Sequence, residues 1–138
     1  MAKRVAHEVV ATAFSKDVAY VQTLGAHRVI DVQTSRFEEV LTDVDVVLDT
    51  IGGDTQDRSF AVLKPGGVLV SAVAAPDQQK AARHGVRALF FLVEVTSRRL
   101  EQIASLIEAG ELTTRVGDVL PLAAARMRSF IGALAAGD

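Results

Sequence analysis

The stretch that most constrains this chain is residues 44–73, VDVVLDTIGGDTQDRSFAVLKPGGVLVSAV. Val44, Val46, Val47 and Leu48 form an apolar run broken only by Asp45 and ending at Asp49. Such a run suits a strand buried on both faces of a parallel sheet. Gly52-Gly53 then permits a sharp turn, and Asp54 or Thr55 is placed to cap a helix over 55–63. Lys64-Pro65-Gly66-Gly67 stops that helix, because proline cannot continue it. Gly67–Val73 reads as a second apolar strand, which completes one right-handed βαβ unit. In open α/β sheets ligands sit beyond the carboxyl ends of the strands. Here those ends are Asp49-Thr50-Ile51-Gly52 and Ser71-Ala72-Val73.

The flanks repeat the alternation. Residues 2–7 resemble the last turns of a helix, and Glu8–Phe14 is an apolar, β-branched strand. Val18, Val21 and Leu24 share one face of a helix over 16–24 that Gly25 closes. Arg28–Val32 is a short strand. Ser35–Leu41 is a short helix with Phe37, Val40 and Leu41 inward and Ser35/Glu38 in capping-box spacing. Beyond the central unit, 74–85 is a polar connection, helical from Asp77. Arg87–Glu94 is a strand. Thr96 or Ser97 caps a helix over 98–109 with Leu100, Ile103, Leu106 and Ile107 inward. Thr113–Leu120 is a weaker strand, and a last helix spans 123–135. Strands alternating with helices define an α/β parallel sheet, and no domain boundary interrupts the 138 residues.

The composition narrows the function. A chain 49% hydrophobic and 23% charged is that of a globular protein with its own core. A net charge of −2 with no basic run gives no support to phosphate neutralisation on nucleic acid. The absence of cysteine removes disulfides, thiolate catalysis and cysteine–zinc sites. No stretch reaches the length of a membrane span, and MAKRVAHEVV lacks the apolar core of a signal peptide, so a cytoplasmic location is expected. His7, His27 and His84 are scattered, without metal-ligand spacing, and read as surface or turn residues. Asp49 has two readings, a catalytic carboxylate or an acceptor for the turn that follows it. No carboxylate pair is spaced for acid–base work.

Five segments, VVATAFSKD (9–17), VQTLGAHRVIDV (21–32), DVVLDTIGGDTQDRSFAVLKPGGVLVSAV (45–73), LIEAGEL (106–112) and VLPLAAAR (119–126), occur in an order that resembles the nucleotide-binding domain of the medium-chain dehydrogenase/reductase superfamily. The nearest resemblance is to its quinone-oxidoreductase-like branch, the zinc-binding dehydrogenases. It implies a Rossmann-like α/β fold with flanking helices. The family's glycine-rich loop and its strand have no counterpart in the sequence, and no G-x-G-x-x-G occurs. Nor does the family's catalytic domain, with its substrate site and any zinc ligands. The chain is therefore expected to be a partial dinucleotide-binding domain over 1–138. The expected strand order is 28–32, 8–14, 45–50, 67–73, 87–93. The second and third of these would either close up or leave a gap for a partner to fill.

The resemblance also assigns a cofactor and its contacts. At the end of the strand 8–14 no acid stands to bond a ribose 2′-hydroxyl; Ser15 and Lys16 instead suit a 2′-phosphate, which implies NADP(H). The alternative is that Ser15 caps its helix and Lys16 is a solvated residue. Thr50, Ile51 and Gly52 would pass close to the cofactor. Ser71, Ala72 and Val73, with Phe91, Leu92 and Val93, would line the nicotinamide ribose, Phe91 having a plain core role as its alternative. The strand 87–93 would pair two copies into a homodimer.

The complete enzyme would transfer hydride between NADP(H) and a quinone, an enone or a carbonyl. No residue stands out as a proton donor, so these residues alone are expected to show no turnover. Two other functions compete. One is a methyltransferase-like core, for which DVVLDT and LKPGGVLVSA would serve but whose antiparallel edge hairpin the helix 98–109 contradicts. The other is a non-catalytic remnant that binds nucleotide or dimerises.

Overall fold

The alternation of apolar runs and glycine turns produces five parallel-paired strands with helices between them. The computed structural model describes residues 7–116. The expected helix end at 2–6, the part of the weak strand beyond Val116 and the helix 123–135 lie outside the described residues. The chain divides into two compact units that part between Val93 and Glu94.

The first unit begins with strand β1 (Val10–Ala13), a 3-10 turn over Ser15–Asp17, helix α1 (Val18–Thr23), strand β2 (Arg28–Asp31) and a single helical turn, α2 (Phe37–Val40). It continues through β3 (Val44–Asp49), α3 (Gly53–Ser59) with a 3-10 turn at Phe60–Val62, β4 (Leu63–Ser71), α4 (Gln78–His84) and β5 (Arg87–Phe90). β1 pairs with β2 in parallel, in register Val10 to Arg28 through Ala13 to Asp31. β4 lies between β3 and β5, also in parallel. Among the described residues no ladder joins β1 to β3. The expected strand order therefore holds within each sheet, and the gap expected between its second and third strands is open.

Packing explains the pairing. Phe60, Leu63, Leu69, Ala81, Val86 and Ala88 form one buried cluster beneath the three-stranded sheet, covered by α3 and α4. Ile30, Phe37 and Val62 form a second, into which Val10 of β1 and Val44 and Val47 of β3 also pack. This second cluster ties the two sheets together without hydrogen bonds between them.

Several local expectations are corrected. β3 is not buried on both faces: Val46 is 58% and Leu48 64% exposed, because α3 and α4 cover only the side that carries Val47 and Asp49. The helix after Gly53 ends before Leu63, which already pairs with Val44. β4 thus starts four residues earlier than expected and passes Lys64–Gly67 as an irregularity opposite Asp45. Gly67 is needed there, since a Cβ would lie 2.9 Å from the Lys64 carbonyl oxygen and 3.2 Å from that of Asp45. Lys64 pairs with Asp45 across the same irregularity.

The caps differ too. Neither Asp54 nor Thr55 caps α3, whose N-cap is Gly52. Ser35 and Glu38 form no capping box; Glu38 is drawn off to Arg36 and Arg58, and Val40 is exposed. The helix expected from Asp77 forms as α4, and Asp77 is its N-cap, accepting from the N–H groups of Gln79 and Lys80. β5 ends at Phe90, so Phe91, Leu92 and Val93 lie beyond the strand.

The second unit holds α5 (Ser97–Glu108), capped by the Thr96 hydroxyl on the Arg99 N–H. Of the four residues expected inward, Leu100, Ile103 and Ile107 are exposed and Leu106 is half-buried. Residues 113–116 carry no strand. Among the described residues no helix is long and apolar enough to cross a membrane.

Candidate functional site

The site is built on the carboxyl ends of β3 and β4. β3 delivers Asp49 into the covered side of the sheet, where it is 4% exposed. One carboxylate oxygen accepts the backbone N–H groups of Ile51 at 3.0 Å and Gly52 at 2.9 Å. The other accepts the Gln56 side-chain amide and the Ser71 hydroxyl, each at 2.8 Å. Asp49 is thus the acceptor for its own turn, the second of its two sequence readings. Burial pushes its carboxyl up, but the bonds from Gly52, Gln56, Ser71 and Ile51 outweigh it and hold the group below the usual carboxylate range. With two donors on each oxygen, the carboxylate serves as a structural acceptor.

Gly52 makes the turn feasible. Its φ of 78° and ψ of −166° are open in practice to glycine alone. A Cβ there would also sit 3.2 Å from a Val73 methyl. The loop after β3 and the loop after β4 therefore touch. The Ser71 hydroxyl accepts from the N–H groups of Val73 and Ala74, both at 3.3 Å, and the Gln56 amide also reaches the Ala74 carbonyl at 3.1 Å. The Phe91 N–H donates to the Ser71 carbonyl at 3.1 Å, which attaches the end of β5 to the same group.

The structure therefore brings together Thr50, Ile51 and Gly52 with Ser71, Ala72 and Val73, and joins Phe91 to them through the backbone. Leu92 and Val93 follow as exposed residues. The outward crest is apolar: Ile51 is 70% exposed, and Val73 and Phe91 are exposed as well.

Ser15 and Lys16 stand apart, at the end of β1 in the other sheet. Ser15 caps nothing; Phe14 is the N-cap of the turn. Its hydroxyl donates to Asp31 at 2.5 Å, and its N–H donates to the Gln33 side chain at 3.1 Å. Lys16 is exposed. A shallow cavity of about 330 Å³ lies past the end of β2, lined by residues 32–36 with Glu39 and Val40, and does not include the Asp49 cluster. Sequence reasoning missed Gln56, Ala74 and Asp31. For Gln56 a signal existed, its place four residues after the turn glycine on the helix that the turn begins. For Asp31 the only signal was its position at a strand end.

Parallel strands joined by helices, with a glycine turn and an apolar crest at their carboxyl ends, define a Rossmann-like α/β fold. The profile of the zinc-binding dehydrogenase family matches residues 24–127, and the chain belongs to that family, within the medium-chain dehydrogenase/reductase superfamily. A curated relative from Arthroderma benhamiae, named "Probable zinc-binding oxidoreductase, mitochondrial", is 28% identical over 122 residues, covering 83% of this chain and 37% of its own. The quinone oxidoreductase of Coxiella burnetii superposes with a TM-score of 0.82 at 24% identity, over 96% of this chain and 43% of that one. The Escherichia coli quinone oxidoreductase, solved with NADPH, superposes with a TM-score of 0.63 at 21% identity, over 84% of this chain and 42% of that one. The chain thus spans less than half the length of these relatives. Membership of this family, with α5 where a methyltransferase-type core would carry a hairpin, sets the methyltransferase reading aside.

The family name implies zinc. The described residues do not fit it: no group of three or more His, Cys, Asp or Glu side chains is gathered to hold a metal, and the sequence has no cysteine.

Proposed function

We propose that this chain forms part of the nicotinamide-dinucleotide-binding region of an oxidoreductase that uses NADP(H) and acts on a quinone, an enone or a carbonyl. The observation that carries the reading is the Asp49-held turn. It sets Gly52 and the apolar crest of Ile51, Val73 and Phe91 at the carboxyl ends of adjacent parallel strands, in a member of the dehydrogenase family. When bound, the cofactor supplies hydride transfer. The chain's own residues position it. Thr50, Ile51 and Gly52 border the dinucleotide. Ser71, Ala72 and Val73 flank the nicotinamide ribose, and Phe91, Leu92 and Val93 exclude water beside it.

The preference for NADP(H) rests on Lys16. The Ser15 hydroxyl is engaged by Asp31 and would have to turn away to meet a 2′-phosphate. The ammonium of Lys16 is exposed and adjacent. Titration of the purified chain with NADPH and, separately, NADH by calorimetry tests the reading. Saturable binding that prefers NADPH, with the preference lost in Lys16→Ala, is expected; binding of neither dinucleotide would overturn it.

The same reading includes a homodimer formed along the 87–93 segment. β5 is the last strand of its sheet, paired on one side by β4. Sedimentation of the wild type against a Leu89→Lys variant tests the dimer, which the variant should weaken. The location that goes with the reading is cytoplasmic, and cell fractionation checks it.

A further inference from the structure

We infer that Asp49 is a positioning residue that couples the loop after β3 to the loop after β4, so that the two segments hold or give way together. What the loops face rests on the nucleotide reading above; the coupling is carried by contacts within the chain.

The two carboxylate oxygens serve different loops. Oδ1 holds the Ile51 and Gly52 amides and so shapes residues 49–52. Oδ2 receives Ser71 and Gln56, and each of these reaches on to Ala74. Ser71 does so by accepting the Ala74 N–H, and Gln56 by donating to the Ala74 carbonyl. Residue 74 is therefore tied to Asp49 by two independent routes. A third link is steric, the Gly52 backbone lying against Val73. The side chains at the centre of the network are enclosed: Ser71 is 0% exposed, and Gln56 and Asp49 are buried. The buried donors, the Gly52 N–H, the Gln56 amide and the Ser71 hydroxyl, have no water to turn to when displaced, so loss of one bond is passed to the next.

The coupling predicts an effect at a distance within the site. Ser71→Ala removes a hydroxyl that touches Val73, Ala74 and Asp49 but neither Ile51 nor Gly52. Gln56→Leu likewise leaves the Ile51 and Gly52 amides their direct acceptor. The measurement is amide hydrogen exchange by NMR on the full chain. Ala81 and Val86, whose N–H groups donate to Asp77 and Ala81, serve as reference amides. Both variants are expected to speed exchange at Ile51 and Gly52, relative to the reference, by on the order of tenfold. Acceleration confined to Val73 and Ala74 would overturn the coupling. So would equal acceleration at all sites, which a merely structural group produces.

The same variants are then titrated with NADH and NADPH. Positioning predicts that both affinities fall by a common factor, because neither residue reads the 2′-substituent. Wild-type affinity in a variant whose loops exchange faster would overturn the positioning role. If the wild type binds neither dinucleotide, the nucleotide reading falls while the coupling is decided by the exchange rates alone.

Discussion

Both sheets end in the same device: a serine hydroxyl donating to an aspartate on the adjacent parallel strand. In the three-stranded sheet Ser71 meets Asp49 at 2.8 Å. In the two-stranded sheet Ser15 meets Asp31 at 2.5 Å. The shorter bond is the less consequential. Ser15 lies in water, so a lost bond is replaced by solvent at little cost. Ser71 and Asp49 are buried, and a lost bond there leaves donors with no alternative. The Asp49 carboxylate also organises four donors from three segments, whereas Asp31 holds Ser15 and the Gln33 N–H. Length says less about such a bond than what surrounds it.

The largest effects are expected in the buried Asp49 cluster. Asp49→Ala strands the Ile51, Gly52, Gln56 and Ser71 donors and is expected to cost about 3 kcal/mol or more, read as a shift in urea midpoint. Gly52→Ala forces a side chain into a conformation near-exclusive to glycine and against Val73. A loss of about 2 kcal/mol is expected, and an unchanged midpoint would show that the turn relaxes freely. The paired variants sharpen the contrast. Ser71→Ala should cost about 1–2 kcal/mol and Ser15→Ala no more than about 0.5 kcal/mol. Equal losses would mean that burial does not set the value of this contact.

The smallest effect is the pH dependence. The folded Asp49 pKa is depressed, so its contribution is fully present above the unfolded carboxylate value of about 3.9. It is lost as pH falls through the folded value. Stability measured from neutral pH downward should therefore fall less steeply below pH ~4 in Asp49→Asn than in the wild type. Identical profiles would show that Asp49 titrates alike folded and unfolded.

The βαβ unit, the glycine at the end of β3, the start of a helix near Asp77, a cap at Thr96 or Ser97 and the family resemblance were legible in the residues. Each is a local signal, an apolar run or a turn residue whose effect is spent within a few positions. The same locality explains what was misread. Ser35/Glu38 had the spacing of a capping box, yet Glu38 is taken by Arg58, 20 residues away on α3. Val46 and Leu48 were apolar enough for a two-sided burial that the described helices do not supply. The sequence by itself determined that this chain alternates parallel strands with helices and which turns end them, because torsional preference and hydrophobic period are properties of neighbouring residues. Only the tertiary structure decided that Ser71 and Gln56 converge on Asp49 and that Ser15 is held by Asp31. Those partners stand 7 to 22 residues apart in the chain, and the register of the paired strands, with α3 packed against its sheet, brings them within a hydrogen bond.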